Sequence, residues 1–447
     1  MPGLTPDKLA MLQGLVAASP DEVVRSLEKA VCKGGSTGPL AAIGALVEAE
    51  SADRAVRFTT LGPVAPMFGP PAADGRPTFP RVALGALWRG LKADCPSLVR
   101  EAVEANYYID PHEPWPAVFD ILCLKAAAGL RAGKSPDFAA AAGACEAVRP
   151  GLSTTLALCL ELAPIARPPL LNMTDWLQRM TEERRAIARL AYRDAEALAE
   201  GGGPLMFEML AAHLKQPWLI LRIATSIMEH PGERYLAASE LSVFGERALA
   251  DIEAQVELVR GLRPGAGVEV AVRAARAVQH AIEEMGEFDQ SIQLSRDGPW
   301  GQRLTRLKQT LAAAVEARLR EIDEAAAAAL PLHKVRYSAR LSSTAPNLDA
   351  APDEAAVDWA VGLLTFADEI RPCASEGGFG GIRTKVLDTL GQRIDQYVED
   401  VLEQMRLGDV DKDDDRAREY LDVAARLLTL ARDKKSGAIV RRRAAAA

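Results

Sequence analysis

One histidine and three glutamates lie close together in a segment with helical periodicity, at His280, Glu283, Glu284 and Glu287. At 3.6 residues per turn, the histidine, either of the two middle glutamates and Glu287 share one face of a helix. An imidazole and two carboxylates are a ligand set that can bind a transition-metal ion. A di-iron carboxylate bundle would need Glu-x-x-His motifs on two helices, and the chain contains none. The alternative interpretation of this metal candidate is a solvated acidic helix face.

A glycine-rich segment at 375–385, with the sequence SEGGFGGIRTK, leads into another predicted helix. Amide groups at a helix N-terminus, flexible glycines and two cations together predict an anion site. Its candidate residues are Gly377, Gly378, Gly380, Gly381, Arg383 and Lys385. Two observations favour the alternative, an ordinary loop between long helices. Glu376 would repel an anion, and glycines are frequent in such loops.

Three arginines, Arg185, Arg189 and Arg193, follow one another at intervals of four residues on a predicted helix. They predict a docking stripe for an acidic protein partner. The alternative is a set of exposed ion pairs with glutamates 182, 183 and 196, each worth about 0.3–0.5 kcal/mol.

Two cofactor motifs are excluded because residues that they require are missing. Ala132-Gly133-Lys134-Ser135 resembles the end of a phosphate-binding loop, but Ala128 occupies a position that requires glycine, and the preceding segment reads as helix. We therefore predict a helix–helix turn there. The aspartates between 409 and 415 lack the glycine and the bidentate glutamate of a calcium loop in either frame. The motifs thus predict no cofactor.

The composition predicts an all-α protein. Hydrophobic residues make up 49% of the 447 positions but aromatic residues only 5%. Alanine is abundant, and runs of valine, isoleucine and threonine are few. Alanine favours helices, whereas β-branched and aromatic residues favour strands. We therefore expect closely spaced helices with small residues between them.

The charge and the cysteines indicate the class of partner and the compartment. A formal net charge of -8 argues against general nucleic-acid binding, which needs clustered lysine and arginine. The six cysteines form no C-x-x-C motif and predict reduced, buried thiols of a cytoplasmic protein. The first residues read as a helix start rather than a signal peptide. No uncharged apolar run reaches about 18 residues, so no transmembrane segment is predicted.

One long amphipathic helix is predicted at 299–330, where the apolar residues advance five steps over eighteen positions, or 3.6 per step. Its apolar stripe is Leu304, Leu307, Leu311, Val315, Leu319 and Ile322. We expect this helix to be the strut against which neighbouring helices pack.

The helix pattern divides the chain into three parts. Residues 1–166 predict a solenoid-like array of short helices, interrupted by a surface loop rich in proline and glycine at 59–80. The sequence Arg167-Pro168-Pro169 predicts a domain boundary. Residues 171–433 predict a bundle or stacked hairpins of long helices. Residues 434–447 predict a disordered basic tail that could contact an acidic protein or an anionic membrane surface.

Two functions from different classes agree with these patterns. The first is a helical scaffold or adaptor that binds protein partners through its helical surface. The second is an all-α enzyme or ligand-binding protein with a metal or anion site between long helices. A protein partner that purifies with the chain would favour the first, and a retained metal ion or small molecule the second.

Overall fold

The helical character of the sequence is borne out by the computed structural model. It describes residues 6–19, 21–33, 39–109, 113–133, 135–228, 230–336, 342–407 and 414–447. Within these ranges the chain forms twenty α-helices and one two-stranded antiparallel sheet. The prediction of an all-α protein is confirmed. No helix in the described ranges combines the length and the apolar composition that a membrane span requires.

The chain divides into two compact units, Met1–Glu229 and His230–Ala447. The first unit contains α1 Pro6–Ala18, α2 Asp21–Lys33, α3 Pro39–Leu61, α4 Arg81–Asp94, α5 Pro96–Tyr107, α6 Ala117–Ala132, α7 Pro136–Val148, α8 Leu152–Leu171, α9 Met173–Gln178, α10 Glu182–Leu198, α11 Gly202–Ala212 and α12 Ile220–Ser226. Most of the helices before residue 166 have 12 to 16 residues, but α3 has 23 and α8 has 20. Whether their arrangement is a solenoid stays a prediction.

The predicted boundary at 167–169 falls inside α8, and the two units divide at 229/230 instead. Arg167 is buried and donates to Oδ1 of Asp120 at 2.6 Å and to the backbone oxygens of Thr59 and Thr60 at 3.0 Å. An arginine with these internal partners belongs to the interior of a unit. Pro168 and Pro169, which predicted a linker, therefore lie within the last turns of α8.

The predicted surface loop at 59–80 is only partly a loop. Helix α3 continues to Leu61, and the residues after it pack on the first unit. Val64, Met67 and Phe79 are buried, and Phe68 forms a β-bridge with Phe79. The prolines and glycines prevent a regular helix, but the apolar side chains between them anchor the segment. The predicted turn at Gly133 is confirmed, because α6 ends there with Gly133 in the left-handed region at a φ of 58°.

The second unit contains the longer helices. Its elements are α13 Glu233–Ala237, α14 Ser242–Arg260, α15 Val268–Ser291, α16 Pro299–Ala329, β1 Leu332–Arg336, β2 Ser342–Pro346, α17 Glu354–Glu369, α18 Gly380–Leu407, α19 Asp414–Ala431 and α20 Lys434–Ala446. The β1–β2 hairpin pairs Leu332 with Pro346 and Arg336 with Ser342, and the sequence did not predict it. Most of the aspartates tested as a calcium loop lie at 409–413, outside the described residues.

Helix α16 is the predicted strut, and all six residues of its expected apolar stripe are buried. Its first turn is held by Glu233 of α13, whose carboxylate accepts the amide of Trp300 at 2.7 Å and that of Ser295 at 3.0 Å. A carboxylate is favoured there because the amides at a helix N-terminus lack partners and carry partial positive charge. Arg303 then ties α16 to α14 through two hydrogen bonds to the carboxylate of Glu253, at 2.7 and 2.8 Å.

The last residues form a packed helix, so the prediction of a disordered basic tail is wrong for Lys434–Ala446. Helix α20 begins at Asp433, whose carboxylate accepts the amide of Ser436 at 2.7 Å, and Val440 is buried. Arg441 donates to Asp422 at 2.9 Å. Arg443 pairs with Glu399, which lies 44 positions earlier. The sequence predicted solvated cations here because the acidic partners of these cations lie far away along the chain.

Gly437 lies where α20 packs tightly against α19, and it supplies a test of this packing. A Cβ atom at Gly437 would lie 2.1 Å from Oγ1 of Thr429 and 2.5 Å from the carbonyl oxygen of Ala425. We expect Gly437→Val to lower the free energy of unfolding by about 1–3 kcal/mol, the usual cost of overpacking. Urea unfolding followed by circular dichroism measures the change. Ala438→Val, at an exposed position of the same helix, is the control, and equal stabilities would mean that α20 does not pack.

Candidate metal centre

Helices α14 and α15 are neighbours in sequence and pack against each other over much of their length. Their connection turns at Gly265, which has a φ of 85° that side chains rarely tolerate. Helix α15 is rich in small buried residues, including Ala274, Ala277 and Ala281. Because small residues let two helices approach closely, short polar side chains from both helices can meet.

Three such side chains form one cluster: Asp251 from α14, with His280 and Glu284 from α15. One ligand atom of each lies within 4.8 Å of the others, and in the described part of the chain this is the group with the geometry of a metal site. Nε2 of His280 lies 2.9 Å from Oδ2 of Asp251 and 3.9 Å from Oε2 of Glu284. Asp251 and His280 are partly exposed, with side-chain exposures of 44% and 37%, so solvent reaches the cluster.

Glu284 forms the buried floor of the cluster. The residue is 1% exposed, and its Oε2 atom has no hydrogen-bond partner among the described residues. Burial, and secondarily the negative charge of Asp251, raises the pKa of the Glu284 carboxyl to about 9. The hydrogen bond from His280 lowers the pKa of Asp251. The two carboxyl groups therefore differ in protonation at neutral pH, because an isolated buried charge is costly.

The four metal candidates from the sequence separate in the structure. His280 and Glu284 meet in the cluster. Glu283 is exposed on another side of α15. Glu287 is buried and accepts the hydroxyl of Ser291 at 2.5 Å. The third member, Asp251, was missed because it lies 29 positions before His280. The only sign of Asp251 in the sequence is a carboxylate between the apolar residues of an amphipathic helix.

The six anion candidates are not brought together. The amides of Gly377 and Gly378 already donate to the carbonyl oxygens of Cys373 and Ser375, at 2.9 and 3.2 Å. The guanidinium of Arg383 donates to the carbonyl oxygen of Ala367 at 2.6 Å. The other three candidates, Gly380, Gly381 and Lys385, belong to the first turns of α18, where Gly381 and Lys385 are exposed. The glycine segment thus serves as a hydrogen-bonded turn, and its geometry does not favour an anion.

The arginine ladder is largely used within the first unit. Arg185 pairs with Glu182, and Nε of Arg189 donates to the carbonyl oxygen of Ile227 at 3.1 Å. Arg193 is exposed on α10. A docking role for the ladder stays a prediction, with Arg193 as its most accessible cation.

Comparison with known proteins adds no identity to this geometry. The chain matches no protein-family model, no curated protein and no solved structure. The function must therefore be argued from the site itself.

Glu284 also predicts how the stability of the protein changes with pH. The folded state holds a proton on Glu284 up to about pH 9, whereas the unfolded chain releases it near the ordinary value of 4.5. Stability therefore falls as pH rises between these values, because the folded state binds the extra proton. In the presence of a chelator, the free energy of unfolding of the wild type should fall more steeply than that of Glu284→Gln, by up to ~1.4 kcal/mol per pH unit.

Urea unfolding at several pH values between about 5.5 and 8.5 measures both slopes. The control is Glu283→Gln, which removes an exposed neighbouring carboxylate and should keep the wild-type slope. Equal slopes for the wild type and Glu284→Gln would show that the buried carboxyl titrates normally.

Proposed function

We propose that the protein binds a divalent first-row transition-metal ion between α14 and α15, with Asp251, His280 and Glu284 as its ligands. The observation that carries the proposal is the Glu284 carboxyl, which is buried, lacks a hydrogen-bond partner at Oε2 and lies beside an imidazole and a second carboxylate. At neutral pH this carboxyl holds a proton, and a bound cation would displace that proton and compensate the charge of the buried carboxylate. This is the metal-binding alternative of the sequence analysis, with Asp251 in place of Glu283 and Glu287.

The distances support coordination after a small movement of side chains. Ligand atoms that lie about 2.0–2.2 Å from one ion in a tetrahedral site are separated from each other by roughly 3.4 Å. The observed separations are 2.9 Å from His280 to Asp251 and 3.9 Å from His280 to Glu284. Side-chain shifts of about 1 Å close such a site, so no change in the helix backbone is required.

The donor atoms favour one group of metals. One imidazole nitrogen and two carboxylate oxygens suit zinc, manganese, iron(II) or cobalt, whereas calcium takes six to eight oxygen ligands. Three protein ligands leave at least one coordination position for water or substrate, which is the arrangement of catalytic rather than structural zinc sites. Because Asp251 and His280 are partly exposed, an ion held by them would be accessible to solvent. The site therefore supports a ligand-binding or hydrolytic function at the metal.

The proposal is tested by metal binding to purified protein and ligand variants. We expect about one equivalent of Zn²⁺ or Co²⁺ per chain, measured by equilibrium dialysis with elemental analysis. Asp251→Asn, His280→Gln and Glu284→Gln should each weaken binding by at least about 100-fold, because the loss of a direct ligand exceeds the 10–100-fold cost of losing an outer-shell partner. Circular dichroism and thermal melting establish that each variant remains folded.

The matched control is Glu283→Gln, one residue before Glu284 on α15, which should bind the ion as the wild type does. Stoichiometric binding that survives all three ligand substitutions would contradict the proposal. So would the absence of binding at micromolar metal concentrations.

The scaffold function remains a second candidate, and one surface favours it. On α10, Ile187, Leu190 and Leu198 are exposed at helical spacing that places them on one side, with Arg193 next to that side. An amphipathic helix with acidic residues fits this combination of apolar and basic groups. A photo-crosslinking residue at position 190 should trap such a partner in stoichiometric yield, and the same residue at Val148, which is exposed on α7, should not.

A further inference from the structure

A second concave site in the unit His230–Ala447 is a cleft of about 420 Å³ between α15, α16 and the turn before α18. Its volume lies within the range of pockets that hold small molecules. Its lining includes Ile282, Met285, Gly286, Lys308, Leu311 and Glu376. At about 100° per residue, Ile282 and Asp289 lie roughly 180° around α15 from His280. The cleft is therefore separate from the candidate metal centre.

The floor of the cleft is apolar and tightly built. Ile282, Met285 and Leu311 are each at most 5% exposed. Gly377 lets the turn approach this floor closely, since a Cβ atom there would lie 2.2 Å from the ring of Phe379 and 2.8 Å from Cδ1 of Ile282. These side chains form a surface that could bury the hydrocarbon part of a ligand.

The charges at the rim leave one carboxylate uncompensated. Lys308 forms an ion pair with Asp289, so these two charges neutralise each other. Glu376 is exposed, and no residue in the described ranges forms an ion pair with it. Arg371, the nearest cation in sequence, lies 3.8 Å from Asp368, and Arg383 donates to the carbonyl oxygen of Ala367. The net charge presented at the rim is therefore negative.

Gly286 and this carboxylate lie side by side in the lining of the cleft. Oε1 of Glu376 lies 3.4 Å from the position that a Cβ atom of Gly286 would occupy. Without a side chain at 286, the wall of the cleft beside the carboxylate stays open to a bound group. A glycine in the middle of a helix costs about 0.5–1 kcal/mol relative to alanine, and no other described side chain would meet a Cβ atom here.

We propose that this cleft binds a small organic cation, an ammonium or guanidinium group carried on an aliphatic or aromatic body. The cationic group pairs with Glu376, and the body lies on Ile282, Met285 and Leu311. The sequence predicts an anion site for the same glycine segment, whereas the site proposed here binds a cation. The inference is independent of metal binding, because no residue is shared between the two sites.

Phenethylamine, which is protonated at neutral pH, is a suitable probe with two close analogues. The uncharged 2-phenylethanol and the anionic 3-phenylpropionate keep the same aromatic body. We expect phenethylamine to bind with a dissociation constant on the order of 1 mM. The alcohol should bind about two- to fivefold more weakly, the range typical of a partly exposed ion pair, and the carboxylate should not bind measurably.

Titration calorimetry on the full chain gives the affinities, and the methyl resonance of Met285 reports whether the cleft is occupied. That resonance is assigned by its loss in Met285→Leu. Glu376→Gln should make phenethylamine bind as weakly as the alcohol, and Lys308→Gln should strengthen amine binding by leaving Asp289 unpaired. Gly286→Val fills the cleft and should abolish the shift of the Met285 resonance.

Glu403→Gln, at an exposed position of α18 outside the cleft, is the matched control and should bind the amine as the wild type does. Thermal melting shows that each variant is folded. Equal affinities for the amine and the alcohol, or tighter binding of the carboxylate, would overturn the proposal. Unchanged amine binding in Glu376→Gln would also overturn it, as would an undisturbed Met285 resonance at saturating amine.

Discussion

The start of α16 is the constraint on which the second unit depends, and Trp300 is its centre. Glu233 accepts the amide of Trp300 at 2.7 Å, which fixes where the helix begins. The indole then packs against α14 at Gly245, where a Cβ atom would lie only 2.5 Å from the ring, and against Phe288 of α15 at a centroid distance of 5.8 Å. Its Nε1 donates to Glu246 of α14 at 2.5 Å. One side chain therefore contacts both α14 and α15 and limits how these two helices can slide past each other.

The candidate metal centre follows from this fixed relation. Asp251 lies within hydrogen-bonding distance of His280 only while α14 and α15 keep their register, and a shift of one residue would rotate either side chain by about 100°. The close packing of α14 against α15 brings these side chains together. The same closeness excludes water from Glu284 and so creates the buried carboxyl that a cation could neutralise. The packing of α14 against α15 thus determines both the position of the three side chains and the burial of Glu284.

The sequence predicts features that depend on local periodicity and misses those that depend on long-range contacts. The α16 stripe from Leu304 to Ile322 and the all-α class follow from 3.6-residue spacing, which is a property of neighbouring residues. His280 and Glu284 were found by the same rule. Asp251 was not, because only the α14–α15 packing places it opposite them. The ordered α20 was missed because Arg441 and Arg443 find their acidic partners on earlier helices. The two prolines after Arg167 predict a linker, but the hydrogen bonds of Arg167 hold this segment inside the first unit.

X-ray absorption spectroscopy of the zinc-loaded protein tests the central claim most directly, because it reports the atoms bound to the ion. Five described cysteines are free thiols and are the principal competing ligands in the chain. The proposed site predicts nitrogen and oxygen neighbours at about 2.0–2.2 Å, the outer-shell scattering of one imidazole and no sulfur. That imidazole signal should disappear in His280→Gln. A zinc–sulfur distance of about 2.3 Å, or a spectrum unchanged by the substitution, would contradict the assignment of the ion to Asp251, His280 and Glu284.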